Sequence, residues 1–341
     1  MTIPGNITGA GLSLLFLASA AAAALLHLPA LLAVPVAFMA VLWMIRDPAL
    51  LVYVLVASVP WSIEYNFTAS LASDLPDEPL MLLASFVIIC ILAYQRRSLP
   101  VSLRHPLVFL LIAQFAWVII SVVNSTDFIL SFKYMLAKTW YLLAFVALPV
   151  YLFRDRISIR NVAISLLVSM MLFMFVALVR HAGNGWTFEK INDSVEPFFR
   201  NHVNYSALLV FMVPLQLAIL RYTSSRLLKD VLRVLLVITL AALYFSYARG
   251  AWLALLTGLA GYWLLRKKLL LAAVCVGFFL TIASVFLLKH NDHYLKYAHD
   301  FKTTIFHTDF RSHLVATYQL RDVSTAERFY RWIAGVRMIR H

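Results

Sequence analysis

Apolar residues run along this chain in stretches long enough to cross a membrane, with short polar segments between them. Eleven such stretches can be delimited: 8–26, 28–45, 48–63, 79–94, 106–123, 135–153, 161–179, 205–221, 231–247, 250–265 and 269–288. Most approach the ~20 residues that an α-helix needs to span the hydrocarbon core. They lack the period-two alternation of a membrane β-barrel strand. The pattern therefore predicts an all-α fold, a polytopic membrane helical bundle of about 11 transmembrane helices.

The first two predicted spans belong to one apolar run over residues 8–45. This run is too long for a single span, so we predict a tight turn near His27 and Pro29 that divides it. A cleaved signal peptide is the competing interpretation, because residues 18–24 are mostly alanine. The segment before them carries no Lys or Arg, which favours a retained helix.

Composition supports a membrane protein and removes several other classes. Hydrophobic residues make up 62% of the chain and charged residues 13%, which is too little polar surface for a soluble domain of 341 residues. Cys90 and Cys275 both lie in predicted spans and suit neither a disulfide framework nor a metal site. The sequence has no GxxxxGK[ST] loop and no GxGxxG motif, so a nucleotide-driven pump and a Rossmann domain are not indicated.

Positive charge alternates from loop to loop and predicts an orientation. Placing the N-terminus in the cytoplasm gathers the basic residues in five cytoplasmic loops: Arg46; Arg96, Arg97 and Arg104; Arg154, Arg156 and Arg160; Arg221, Arg226, Lys229 and Arg233; Arg266, Lys267 and Lys268. By the positive-inside rule, segments 180–204 and 289–341 then lie outside. We expect two parts, a transmembrane bundle over 1–288 and a large late periplasmic loop over 289–341. The net charge of +13 is mostly a matter of topology, so no nucleic-acid partner is expected.

Polar residues concentrate at the end of the outer segment 180–204, where the next helix begins. Arg200, His202 and Asn204 are candidate substrate-binding residues there, because the free N–H groups at a helix start favour anions. An interfacial cap is an equal alternative, with Trp186 and the Phe198–Phe199 pair as part of an aromatic belt. Both interpretations stay open at this point.

A second concentration joins two predicted spans with almost no loop, at residues 244–252. Arg249 stands at its outer end and is held near the membrane surface. It either snorkels to phospholipid head groups or has a function, and an ionisable residue at this depth favours the functional interpretation.

The third polar concentration is the final segment, 289–341. His290 and His293 match no tetrahedral metal site in their spacing, so no metal is expected. Ser324 and Glu327 have the spacing of a capping box, which predicts an amphipathic helix lying along the membrane. Arg328 and Arg331 lie near the start of that helix. An ordinary cationic membrane-surface helix is the alternative interpretation.

Three of these segments together resemble the O-antigen ligase and O-antigen polymerase superfamily, whose members are integral membrane lipid-linked glycan transferases. Residues 247–254, YARGAWLA, resemble its SRGAWLA-type signature, with Ala248 where Ser is usual. Residues 327–339, ERFYRWIAGVRMI, are similar to its periplasmic-loop element, and residues 201–205, NHVNY, to its Asn-rich helix entrance. The order of these motifs and the late outer loop extend the likeness over nearly the whole chain.

The resemblance implies a metal-independent, inverting glycosyltransferase that uses no cofactor and acts on the periplasmic face of the bacterial inner membrane. Its donor would be a glycan on undecaprenyl diphosphate, and its acceptor a hydroxyl of lipid A–core or of another glycan. The family's two arginines against the diphosphate match Arg249 and Arg328. The family's loop continues past this point to a histidine that acts as general base. His341 lies too early to match it, so we expect either a C-terminally truncated chain or a remnant that binds the donor without turnover. In both cases this base is lacking.

Two other functions are compatible with the sequence. One is a transporter or flippase-like binder of an anionic lipid-linked substrate, in which Arg249 lines a path. The other is a structural membrane subunit that docks through 289–341. Few charged residues lie within the predicted spans, which favours the enzyme over the transporter.

Overall fold

The computed structural model describes residues 5–27, 32–68, 71–95, 105–153, 155–289 and 323–340, and most of them are helical. The described helices are α1 Gly5–Leu26, α2 Val34–Arg46, α3 Pro48–Ser58, α4 Asp77–Gln95, α5 Pro106–Val123, α6 Phe128–Leu142, α7 Leu148–Leu152, α8 Arg156–Gly183, α9 Ile191–Val195, α10 His202–Tyr222, α11 Arg226–Phe245, α12 Arg249–Arg266, α13 Leu270–Lys289 and α14 Val323–Arg340. A π-helical segment, Leu143–Ala147, joins α6 to α7.

Five helical segments of the described chain are long and apolar enough to cross a membrane: Asp77–Tyr94, Pro106–Val123, Phe128–Leu152, Ile157–Gly183 and His202–Tyr222. Shorter apolar helices occupy Phe16–Leu26, Val34–Arg46, Pro48–Trp61 and Leu270–Ser284. The all-α, membrane-type fold is therefore confirmed. The count of about 11 spans and the outer placement of the last loop stay predictions.

Local signals at the helix starts explain where several elements begin. The Asp127 carboxylate accepts a hydrogen bond from the Leu130 amide at 3.1 Å, so α6 begins at Phe128 and not near residue 135 as the apolar pattern predicts. Lys133 therefore lies inside α6. His105 caps α5 in the same way, with Nδ1 accepting from the Leu107 amide at 3.2 Å.

A small β-hairpin interrupts the helical pattern between α3 and α4. Strands β1, Ile63–Thr68, and β2, Leu71–Leu75, pair antiparallel with Glu64 opposite Asp74. Tyr65 and Phe67 lie on β1 with their rings in edge contact at 4.9 Å, and both are largely exposed. This hairpin was not predicted, because its acidic residues make the segment look like a polar loop.

The chain divides into two compact units, residues 1–170 and 171–341. In the first unit, α3, α4 and the π-helical segment pack around a core that includes Leu51, Leu55, Ala84, Ile88 and Ala144. Ser165 and Ser169 of α8 attach to α3, since their hydroxyls donate to the carbonyls of Tyr53 and Ala57.

In the second unit, α10 packs against α11 and α12. Phe173, Phe199 and Tyr205 form an aromatic cluster near the start of α10, with ring centroids 4.9–5.8 Å apart. Farther along α10, the buried Gln216 side chain donates to Thr239 Oγ1 of α11 at 2.9 Å. A polar bond inside an apolar bundle thus joins α10 to α11.

The structure describes part of the predicted late loop. Helix α14 begins at Val323, one residue before Ser324, so Ser324 lies in the first turn and not at the predicted N-cap. Residues 290–322, including His290 and His293, and the terminal His341 lie outside the described residues. The division of the chain at residues 288 and 289 therefore stays a prediction.

Candidate functional site

Three segments of the second unit meet around one group of rings. They are the end of α8 at His181, the segment 184–201 that contains α9, and the link Ser246–Ala248 between α11 and α12. His181 contacts Trp186 and Tyr247 through its ring, with centroids 5.2 Å and 6.1 Å apart. The link that carries Tyr247 leads directly into Arg249. This group of rings therefore lies next to the backbone of Arg249, the principal candidate residue.

His181 fixes the start of the 184–201 segment. Its side chain is 1% exposed, and Nε2 lies 3.0 Å from the Thr187 carbonyl oxygen. The Trp186 amide donates to the His181 carbonyl at 3.1 Å. Gly185 and Trp186 both have left-handed backbone, with φ of 72° and 56°, which turns the chain back toward α8. One buried histidine therefore holds two successive residues of the loop, Trp186 and Thr187.

Tyr247 connects this loop to the α11–α12 link. Its phenol donates to the Trp186 carbonyl at 2.6 Å, and its ring contacts Phe188 with centroids 5.7 Å apart. Tyr247 also has left-handed backbone, with φ of 55°. A tyrosine phenol keeps its proton, and can donate it, throughout the neutral pH range.

Arg249 is the first residue of α12, and its surroundings are rigid. The buried Ala248 precedes it as N-cap, and the Ala248 carbonyl accepts from the amides of Ala251 and Trp252 at 2.9 Å and 3.3 Å. The Trp252 indole donates back to the Leu243 carbonyl at 2.9 Å, which closes the link from the α11 side. The Arg249 side chain is partly buried. A partly buried guanidinium thus stands at a helix start, where the macrodipole also favours an anion.

His202 begins α10 and is oriented by a neighbour in α9. Asn192 Oδ1 accepts from the His202 backbone amide at 2.9 Å and lies 2.8 Å from Nδ1 of the ring. Because that oxygen is an acceptor, the ring proton belongs on Nδ1. Phe188 contacts both the His202 ring, at 6.3 Å, and Tyr247. One phenylalanine therefore connects the start of α10 to the link that carries Arg249.

The remaining predicted residues at the start of α10 are more exposed. Asn201 caps the helix, accepting from the Asn204 amide at 3.0 Å, so Asn204 contributes its backbone to the cap while its side chain is exposed. Arg200 is exposed directly before the cap. The structure thus brings the segments of His202 and Arg249 together, and it places Arg200 and Asn204 on the surface beside them.

Charged side chains hold α9 in place through hydrogen bonds and an ion pair. Arg180, at the end of α8, donates to the carbonyls of Glu196 and Asp193. Lys190 forms an ion pair with Asp193 at 3.0 Å, and that hydrogen bond is the main reason why the pKa of Lys190 is raised. Ser194 is completely buried and donates to the Lys190 carbonyl at 2.8 Å. The segment around α9 is therefore folded, and Ile191, Ser194 and Val195 are its buried residues in α9.

Arg328 and Arg331 lie on α14, and both side chains are exposed. Arg331 forms an ion pair with Glu327, one turn earlier. Trp332 of the same helix is 63% exposed. The approach of Arg328 to Arg249 stays a prediction. Within the described residues, no group of three or more His, Cys, Asp or Glu side chains could hold a metal ion.

The sequence indicated the charged candidate residues, but not the residues that hold the neighbouring segments in place. His181, Asn192 and the Trp186 carbonyl gain their roles only from contacts across the fold. The Asn184–Gly185 pair is the one local signal that was available, because such a pair favours a turn with left-handed backbone.

Comparison with known proteins supports the resemblance over the last third of the chain. Residues 234–341 match the family model described as O-antigen ligase. Searches of curated proteins and of solved structures gave no match. The match confirms the recognised superfamily for this region, which includes Arg249, Arg328 and Arg331. It indicates a glycosyl-transfer role in O-antigen or lipopolysaccharide biosynthesis.

Proposed function

We propose that this protein transfers a glycan from undecaprenyl diphosphate to an acceptor hydroxyl on the periplasmic face of the bacterial inner membrane. In this reaction the acceptor oxygen bonds to the anomeric carbon while the bond from that carbon to the diphosphate breaks. The acceptor proton leaves to a base, and undecaprenyl diphosphate is released. The acceptor would be lipid A–core, as in a ligase, or another glycan, as in a polymerase.

The observation that carries this proposal is the placement of Arg249. It is a partly buried arginine at the start of α12, inside the region that matches the O-antigen ligase family. Negative charge develops on the diphosphate as the glycosidic bond breaks, and a guanidinium binds two such oxygens at once. The N–H groups of the first helical turn add positive potential in the same place.

The other candidate residues take supporting roles in this proposal. His202, Arg200 and Asn204 lie at the start of α10, and Phe188 joins His202 to the Arg249 link, so they would contact the glycan or the acceptor. Arg328 and Arg331 of α14 would approach the diphosphate from the other side. Because guanidinium groups, chiefly those of Arg249 and Arg328, supply the positive charge, we propose that the transfer needs no metal. Direct displacement by the acceptor oxygen would invert the anomeric carbon.

A transporter or flippase-like binder of the same lipid is the alternative function. A path for an anionic lipid would use charged groups inside the bundle. The buried polar side chains that the structure describes belong to Ser, Thr, Gln and His residues. This composition gives the transporter no specific support.

The proposal is tested with the chain reconstituted in proteoliposomes. Arg249→Ala should weaken binding of undecaprenyl diphosphate by about 10–100-fold, because a charge-assisted hydrogen bond contributes roughly 1.5–3 kcal/mol. Arg249→Lys keeps the charge but loses the planar fork, so it should recover only part of this affinity. In a version of the protein that also carries the family's general base, product formation from labelled undecaprenyl-diphosphate glycan should fall by about 10²–10³-fold in the alanine variant.

Arg266→Ala is the matched control, because Arg266 is at the opposite end of the same helix. Its guanidinium lies over the Tyr262 ring, 5.3 Å from the centroid. This variant should bind undecaprenyl diphosphate like the unmodified chain. If Arg249→Ala behaves as Arg266→Ala does in both assays, the diphosphate role of Arg249 is wrong.

A further inference from the structure

The link between α11 and α12 contains a residue in an unfavourable backbone conformation directly beside the candidate anion-binding residue. Tyr247 has a φ of 55° and is not glycine. Left-handed backbone is uncommon for a tyrosine, and it persists only where surrounding contacts hold it. Such residues concentrate at functional sites, so the contacts that hold Tyr247 indicate what its conformation serves.

The first of these contacts is a hydrogen bond to a distant part of the chain. The phenol donates to the Trp186 carbonyl at 2.6 Å, across 61 residues of sequence. That carbonyl is itself fixed, because the Trp186 amide donates to the His181 carbonyl and the next carbonyl, of Thr187, meets His181 Nε2. The acceptor of the Tyr247 bond is therefore held in place by contacts to the buried His181, near the end of α8.

The second set of contacts is made by rings. Tyr247 meets His181 at 6.1 Å and Phe188 at 5.7 Å between centroids, both edge-on. These contacts locate the ring, but an edge contact between rings leaves it some freedom to rotate and slide. The phenol hydrogen bond is directional and removes that freedom.

The backbone angles of Tyr247 determine the direction in which the chain enters Arg249. Only Ala248 separates them, and it is buried, with its carbonyl bonded to the amides of Ala251 and Trp252. The Ser246 hydroxyl accepts from the Ala248 amide at 3.4 Å, so the link has hydrogen bonds on both sides of Tyr247. A change in the backbone angles of Tyr247 would therefore rotate the start of α12 and redirect the Arg249 side chain.

We propose that Tyr247 is a positioning residue: its hydrogen bond to the Trp186 carbonyl sets the direction in which Arg249 presents its guanidinium to a lipid-linked diphosphate. This inference rests on the proposed diphosphate role of Arg249. It assigns a function to the loop 184–201 as well, since that loop supplies the acceptor. A diphosphate presents oxygens on two phosphorus centres and a monophosphate on one. Binding of the diphosphate therefore depends more strongly on the direction of the guanidinium fork.

The test compares two lipids in the reconstituted chain, undecaprenyl diphosphate and undecaprenyl monophosphate. Tyr247→Phe keeps the ring and removes the phenol hydrogen bond. It should weaken diphosphate binding by about 5–10-fold, the usual effect of one neutral hydrogen bond, and change monophosphate binding by less than about twofold. Tyr244→Phe is the matched control, because it is the same chemical change on a ring that is 61% exposed, three residues earlier. It should leave the affinity for both lipids unchanged.

Combination with Arg249→Ala separates positioning from general loss of structure. If Tyr247 acts through Arg249, Tyr247→Phe should have no further effect on diphosphate binding in the Arg249→Ala background. An equal loss of affinity for both lipids, an unchanged affinity in Tyr247→Phe, or an effect that persists without Arg249 would each overturn the inference. A loss in Arg249→Ala with no loss in Tyr247→Phe would overturn this inference alone, whereas no loss in Arg249→Ala would overturn the proposed function.

Discussion

Replacement of Asn192 by leucine should loosen the start of α10, where the candidate residue His202 lies. Asn192 Oδ1 accepts two hydrogen bonds from that residue, from the backbone amide at 2.9 Å and from ring Nδ1 at 2.8 Å. The amide belongs to the first turn of α10, whose N–H groups have no partner within the helix. Leucine has a similar size and can accept neither bond.

The magnitude follows from these two bonds. Each contributes roughly 1 kcal/mol net, so their joint loss should destabilise the closed start of α10 by about 2 kcal/mol. The full penalty of an unsatisfied buried amide would be larger, but His202 is only partly buried and water can replace part of the loss. An energy of about 2 kcal/mol corresponds to a roughly 30-fold increase in local opening.

Hydrogen exchange followed by mass spectrometry measures this opening directly. The peptide that covers residues 199–206 contains the amides of His202 and Asn204, and the exchange of its protected amides should be about 30-fold faster in Asn192→Leu. Asn204→Leu is the matched control, since the Asn204 side chain is exposed and only its backbone amide serves the cap. It should exchange at nearly the unmodified rate. Equal protection in Asn192→Leu and in the unmodified chain would refute the role given to Asn192.

Two further predictions concern topology and packing. In a chain whose two native cysteines have been replaced, Glu189→Cys should react with a membrane-impermeant maleimide on intact cells, and Lys229→Cys should not. The charge pattern places these two residues on opposite sides of the membrane, so the reverse result would contradict the orientation. Thr239→Val removes the acceptor of Gln216 Nε2 and should lower the free energy of unfolding, measured in detergent, by roughly 0.5–1 kcal/mol. Thr257→Val, at an exposed site on α12, should have a smaller effect, and equal effects would show that the buried bond contributes nothing.

The sequence predicted helices best where apolar length and a local cap agreed. The span predicted at 106–123 matches α5, because His105 caps it and Pro106 suits its first turn. The start of α6 was misplaced, since Ser131 and Lys133 broke the apolar run although Asp127 provided a cap. The hairpin of β1 and β2 was missed because its acidic residues are typical of a polar loop. Its pairing sets Glu64 opposite Asp74, and like charges directly opposite each other destabilise a sheet.

Within the candidate site, chemistry was predictable and position was not. Arg249 and His202 stood out because charged or titratable residues are rare beside long apolar runs. The roles of Asn192 and Tyr247 depend on contacts across 10 and 61 residues, respectively. No local pattern records such contacts, because they arise when the helices pack.

The hydrogen bond between Gln216 and Thr239 has a consequence for the axial register of the bundle. Two apolar helices can slide along each other at little cost, since each side chain finds a similar neighbour one turn away. Here a slip of one turn, about 5.4 Å, would leave both polar side chains buried without each other. Because α11 continues directly into the link that carries Arg249, this bond also fixes how far that link extends relative to α10. The position of Arg249 along the axis of α10 is therefore determined by a buried contact inside the bundle, away from Arg249 itself.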